Sequence, residues 1–170
     1  MARRFGSAPA ASTSIPASLK QRFERKKTQE IDRLRHKGWK LMDAVRAART
    51  SAAFDILSDD FVKLEPVSEN EPYDDSYIDT WTDRTPRQRE KDRKELRERI
   101  GNEGTWGLVS YWRPNPRASW DQVDAVGGFV GDDWKDSGYD VDLMNAALRA
   151  VARGTKGIPA QMARMGLHED

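Results

Sequence analysis

Residues 105–134 read TWGLVSYWRPNPRASWDQVDAVGGFVGDDW and hold four of the six tryptophans, so a folded core has to involve them. Residues 105–112 alternate as a strand does, with Trp106, Leu108 and Trp112 on one side and Val109 and Tyr111 on the other. Apolar side chains on both faces predict a central strand, or one covered by helices. Arg113-Pro114-Asn115-Pro116 is a turn. Residues 120–130 allow two readings. Trp120, Val123 and Val126 fit helical spacing, whereas the run from Gly127 to Gly131 reads as a strand or a tight loop. Residues 140–153 then form the clearest helix of the chain. Asp140 caps it, Val141, Met144, Ala147, Leu148 and Val151 share one face, Arg149 and Arg153 suit its negative end, and Gly154 stops it. A short helix over 159–165 completes an α+β class.

Upstream, residues 18–49 read as one long helix with Ser18 as N-cap. Ile31, Leu34, Gly38, Leu41, Val45, Ala48 and Ala52 make a heptad-like stripe, able to pack within the chain or to support a homodimer. Thr50-Ser51 ends this helix or caps a second one with Phe54, Leu57 and Phe61 on its apolar face. Residues 65–83 read as a loop or linker, although Tyr73, Tyr77 and Trp81 recur every four residues and permit a short docked helix. Thr85 caps a strongly charged helix from Pro86 to Gly101, in which only Leu96 and Ile100 are apolar. The resulting organisation is a flexible basic tail over 1–17, a basic helical segment over 18–64, an acidic linker over 65–84, and a charged helix with a small Trp-rich core over 85–170.

The chain has 170 residues, 34% of them charged, and a net charge of +1. That total conceals blocks of +9 over residues 1–50, −9 over 51–83, +4 over 84–100, −5 over 101–144 and +2 over 145–170. Such segregation directs attention to electrostatic interfaces, with a partner or between segments. No apolar run is long enough to span a bilayer. The absence of cysteine excludes a disulfide scaffold, thiol chemistry and a thiolate zinc site. Arg3-Arg4 is followed by no apolar segment of a secretory signal. A cytoplasmic protein is the expectation, with a mitochondrial one as the alternative because the tail is basic and rich in Ser and Ala.

Catalytic fingerprints are scarce. His36 and His168 share no ligand spacing, and there is no nucleophile elbow, phosphate-binding loop or dinucleotide fingerprint. No cofactor and no metal-ligand set is therefore expected. One enzymatic alternative survives, a metal-dependent nuclease in which Asp124 and Asp133 hold Mg²⁺ and Lys135 supports the attacking water. Its Asp/Glu-x-Lys triplet also occurs at Glu24–Lys26 and Asp92–Lys94. The basic helix is the stronger lead. Arg22, Arg25, Lys26, Lys27, Arg33, Arg35 and Lys37 could neutralise phosphates without reading bases. Asp74, Asp75, Tyr77, Asp79 and Trp81 form a second candidate surface, carboxylates with aromatic anchors that would mimic a nucleic-acid backbone.

Trp120, Asp124 and the run Gly128–Asp133 resemble a pattern found in small accessory proteins of phages and plasmids. The resemblance spans about 15 residues and implies a context rather than catalytic roles. It implies a mobile-element protein acting on nucleic acid or on a host nucleic-acid-handling complex, as a regulator or counter-defence inhibitor. Together these readings favour a non-enzymatic interaction protein over an enzyme.

Overall fold

Gly38, at φ 92°, breaks the N-terminal helix in two. In the computed structural model, which describes residues 14–168, α1 (Ala17–His36) and α2 (Leu41–Leu57) form a hairpin where one continuous helix was expected. The physical reason is a helix-ending motif. The Gly38 N–H donates to the Arg35 carbonyl and the Trp39 N–H to the Leu34 carbonyl, both at 3.0 Å, and the Trp39 side chain packs on Leu34. The stripe from Ile31 to Ala52 is thus folded back on itself, with Leu34, Ala48 and Ala52 buried inside the chain and Leu41 exposed. No second helix starts at Thr50-Ser51, because α2 runs through both. Of the tail expected over 1–17, residues 1–13 with the Arg3-Arg4 pair lie outside the described residues, whereas Ile15 packs against the core and Pro16, not Ser18, stands at the N-cap of α1.

After α2, Asp59 turns the chain at φ 71° into β1 (Val62–Ser68). Residues 65–68, read as the start of a linker, are the second half of this strand, with Pro66 tolerated at the sheet edge. A short 3₁₀ helix (Ser76–Thr80) follows where the aromatic spacing allowed one. α3 (Pro86–Glu103) has the expected Thr85 cap, completed by Gln88 as a reciprocal capping box. It runs past Gly101 and ends at Gly104, φ 77°. β2 (Thr105–Trp112) is the central strand of an antiparallel sheet of order β1-β2-β3. β3 (Asp121–Val130) resolves the ambiguous stretch as strand, and two register irregularities in its pairing with β2 explain the imperfect alternation. α4 (Tyr139–Gly154) packs on all three strands, and α5 (Ile158–Gly166) joins α4 to α2.

Among the described residues the fold is α+β, five α-helices with a three-stranded sheet. Its core reaches well beyond residues 105–134. Phe23 of α1, Ala52, Ala53, Phe54 and Leu57 of α2, and Val62 of β1 meet Ala147, Leu148 and Val151 of α4 and Met162 and Ala163 of α5. Alanines dominate because small side chains let helices approach closely. The tryptophans stand at the margin of this core, and Trp112 lies over Gly154, where a Cβ would collide with its ring. No described helix is long and apolar enough to cross a membrane.

Candidate nucleic-acid interface

The seven basic positions of the N-terminal helix do not form one free cationic face. Lys26 pairs with Asp55 at 2.5 Å, Lys27 with Glu24 at 2.8 Å, and Arg33 and Lys37 both grip Asp136. Arg35 donates to the Trp39 carbonyl at 2.8 Å. Arg22 and Arg25 remain exposed. Among the described residues, Lys26–Asp55 is the ion pair that joins the +9 block to the −9 block. Much of the N-terminal block is instead compensated from outside the acidic one, by Glu24, Glu30 and Asp136.

Asp136 sits at φ 56°, in the left-handed region that Asp and Asn tolerate best. The Arg33 guanidinium, followed by the Lys37 ammonium, holds its carboxyl down at about 2. Nearby Asp140 is pushed up by burial, although the Gly138 N–H donates to it at 3.2 Å. That bond makes Asp140 an internal brace for the start of α4, whose N-cap is Gly138. Lowering a carboxyl from 3.8 to about 2 stabilises the fold above pH ~4, and the contribution is lost as pH falls towards 2. Asp136→Asn is accordingly expected to destabilise by about 1–2 kcal/mol at pH 7, since the half-exposed cations are partly screened. Urea unfolding should show wild type and variant converging near pH 2; a gap that persists there contradicts the latch.

The acidic surface is also engaged. Arg93 of α3 pairs with Asp79 at 2.5 Å and Asp75 at 3.4 Å, and Asp74 accepts from the Ser76 N–H at 3.0 Å. Tyr73, Tyr77 and Trp81 form an edge-to-face ladder with centroids 6.3 and 5.8 Å apart. Burial and the bond to Tyr77 raise the Tyr73 hydroxyl to about 12. Tyr77 and Trp81 stay exposed, but their carboxylate neighbours Asp75 and Asp79 are neutralised by α3. The segment is a docked strap, held through charge.

The nuclease residues are not brought together. Asp124 lies in β3 opposite Ser110, and the strand from there to Val130 covers ~20 Å. Asp133 follows the strand and accepts both arms of Arg99 at 3.0 and 3.1 Å. Lys135 pairs with Asp132 at 3.4 Å and lies over the Trp134 ring. Among the described residues, no group of three His, Asp or Glu side chains is arranged to hold a metal.

Another cationic surface arises elsewhere. Arg149 and Arg153 of α4 and Arg164 of α5 line a groove of about 540 Å³ that ends on Leu167 and His168. Arg46 and Arg49 of α2 line an adjoining groove of about 620 Å³ that shares those two residues. Asp43 is the one carboxylate among the described residues lining either groove. Arg49 donates to the Met165 carbonyl at 3.1 Å and Arg164 to the Ala152 carbonyl at 3.4 Å. Each thus sits at a helix C-terminal end, where the helix dipole favours a cation.

His168 is clasped. Asn145 receives the His168 N–H and donates to its carbonyl, both at 3.1 Å. Thr50 Oγ1 spends its proton on the Gly166 carbonyl at 2.6 Å, so His168 Nδ1 is the donor in the 2.9 Å contact with Thr50. This clasp fixes the floor between the two arginine groups. The sequence does show Arg149 and Arg153 four apart and Arg46 and Arg49 three apart, each pair off an apolar face. Their convergence depends on α5 packing between α2 and α4, which no local spacing records. The chain matches no family model, and no curated protein or solved structure aligns with it significantly.

Proposed function

We propose that this chain is a non-enzymatic interaction protein that holds the phosphate backbone of nucleic acid along the grooves of α2, α4 and α5. The observation that carries this reading is that Arg46, Arg49, Arg153 and Arg164 line these grooves, with Asp43 the one carboxylate among the described lining residues. Arginine presents a fork of donors that matches phosphate oxygens, and its charge persists at any physiological pH. Exposed Arg22 and Arg25 add to the field that draws a polyanion in. Among the described residues no helix-turn-helix pattern accompanies the grooves, and the reading is one of backbone contacts independent of sequence. A regulator or counter-defence inhibitor from a mobile element would use such a surface to occupy nucleic acid.

The test is a titration of labelled oligonucleotides from about 50 to 200 mM salt, where backbone contacts give a slope of about −0.9 per phosphate neutralised on a duplex and about −0.7 on a single strand. Replacing Arg46, Arg49, Arg153 and Arg164 together by Gln keeps donors for the carbonyl contacts and removes four charges. The slope of log affinity against log salt should become shallower by about 3.6 on a duplex and about 2.8 on a single strand. A wild-type protein that binds no oligonucleotide at low salt, or a quadruple variant with an unchanged slope, overturns the reading.

A further inference from the structure

A third chamber continues the grooves. It is an open recess of about 380 Å³ and shares Asp43, Arg46 and His168 with the groove on α2. The three cavities therefore run in sequence, from Arg149 and Arg153 past Arg46 to this end chamber. Its walls differ in kind. Trp39 and Tyr139 supply aromatic surface, Asp43 and Asp142 supply carboxylates, and Lys40 and Arg46 supply cations. Trp39 is steadied by Leu34, Ala44 and Ala47, and Tyr139 by an edge contact to Phe129 with centroids 6.0 Å apart. Tyr139 nevertheless keeps 55% of its surface open.

Carboxylates repel phosphate and accept hydrogen bonds from N–H groups, while aromatic rings stack on flat heterocycles. We infer that the ligand of the grooves is a single-stranded nucleic acid, one unpaired base of which enters the Trp39–Tyr139 chamber while the neighbouring phosphates lie on the arginines. A base inside a duplex could reach the chamber only by leaving its stack, which disfavours double-stranded ligands there. This inference rests on the proposed backbone binding and adds the strandedness of the ligand.

The experiment compares single-stranded and duplex oligonucleotides of equal length by fluorescence anisotropy, for wild type, Tyr139→Ala and Tyr139→Phe. Loss of one stacking ring should weaken single-strand binding about 10-fold and leave duplex binding unchanged. Tyr139→Phe, which keeps the ring, should restore single-strand affinity to within about twofold of wild type. Equal wild-type affinity for both ligands, or an Ala variant that affects both alike or neither, overturns the inference and leaves backbone binding standing. Failure of the wild type to bind either ligand overturns both.

Discussion

Replacing Leu148 with alanine is expected to destabilise the protein by about 2–5 kcal/mol, the range for a leucine removed from a packed interior. Leu148 is fully buried on α4 and belongs to the cluster in which α2, α4, α5 and β1 meet. Its neighbours Ala52, Ala53, Ala147 and Ala163 are already small, and alanine has no spare rotamer with which to fill a void. The cavity therefore stays open and the transfer and cavity terms add. For a domain stabilised by about 5–15 kcal/mol the loss is large. The melting temperature should fall on the order of 10 °C. Urea unfolding checks this, with a lower midpoint and an unchanged slope. A loss below about 1 kcal/mol would mean that the helices close over the gap.

Gly166→Ala should act at the same junction by crowding it. A Cβ on Gly166 would lie 2.5 Å from the Ala53 Cβ, 2.9 Å from Leu148 Cδ1 and 3.2 Å from the Arg49 carbonyl. The first two belong to fully buried side chains and the third to backbone, so α5 has to move. Overpacking of this kind typically destabilises by about 1–3 kcal/mol. The shift also strains the 2.6 Å bond from Thr50 to the Gly166 carbonyl, and with it the clasp on His168. Oligonucleotide affinity should fall along with stability, because the two arginine groups are held in register by that clasp. Ala53→Gly in the same chain removes the closest contact. The double variant should then be more stable than the sum of the two single losses; strict additivity would show that the Ala53 contact is not the cause.

Local chemistry was readable wherever one segment decided the outcome. Thr85, Pro86 and Gln88 announce the start of α3, the apolar face from Val141 to Val151 announces α4, and the alternation of residues 105–112 announces a central strand. Reading failed where a distant partner decides. The Gly38 break looks like a tolerated helical glycine until Trp39 is seen to fold back on Leu34. β1 carries Pro66 and acidic neighbours, and it is a strand because β2 offers it an edge. β3 alternates poorly because Gly127, facing Gly107 of β2, leaves room for the Glu69 carboxylate, which accepts from the Gly128 N–H at 2.8 Å.

The charge blocks were visible in full, but their pairing was not. Arg93 takes Asp75 and Asp79, and Asp136 takes Arg33 and Lys37 from roughly a hundred residues away. Sequence spacing cannot rank such partners, since an exposed ion pair contributes little and the backbone route decides which charges meet. The arginines around His168 were legible singly and invisible as a set for the same reason.

The bond from Thr50 to Gly166 spans 116 residues, and that separation orders events when the protein is made. The α1–α2 hairpin is built from near neighbours and can form while the rest of the chain is still emerging. Met162 and Ala163 seal the core from the last helix, so the hairpin must wait with Ala52, Ala53 and Phe54 uncovered. During translation the protein therefore passes through a stage of exposed apolar surface that ends only when α5 clears the ribosome. Chaperone demand should be greatest in that interval.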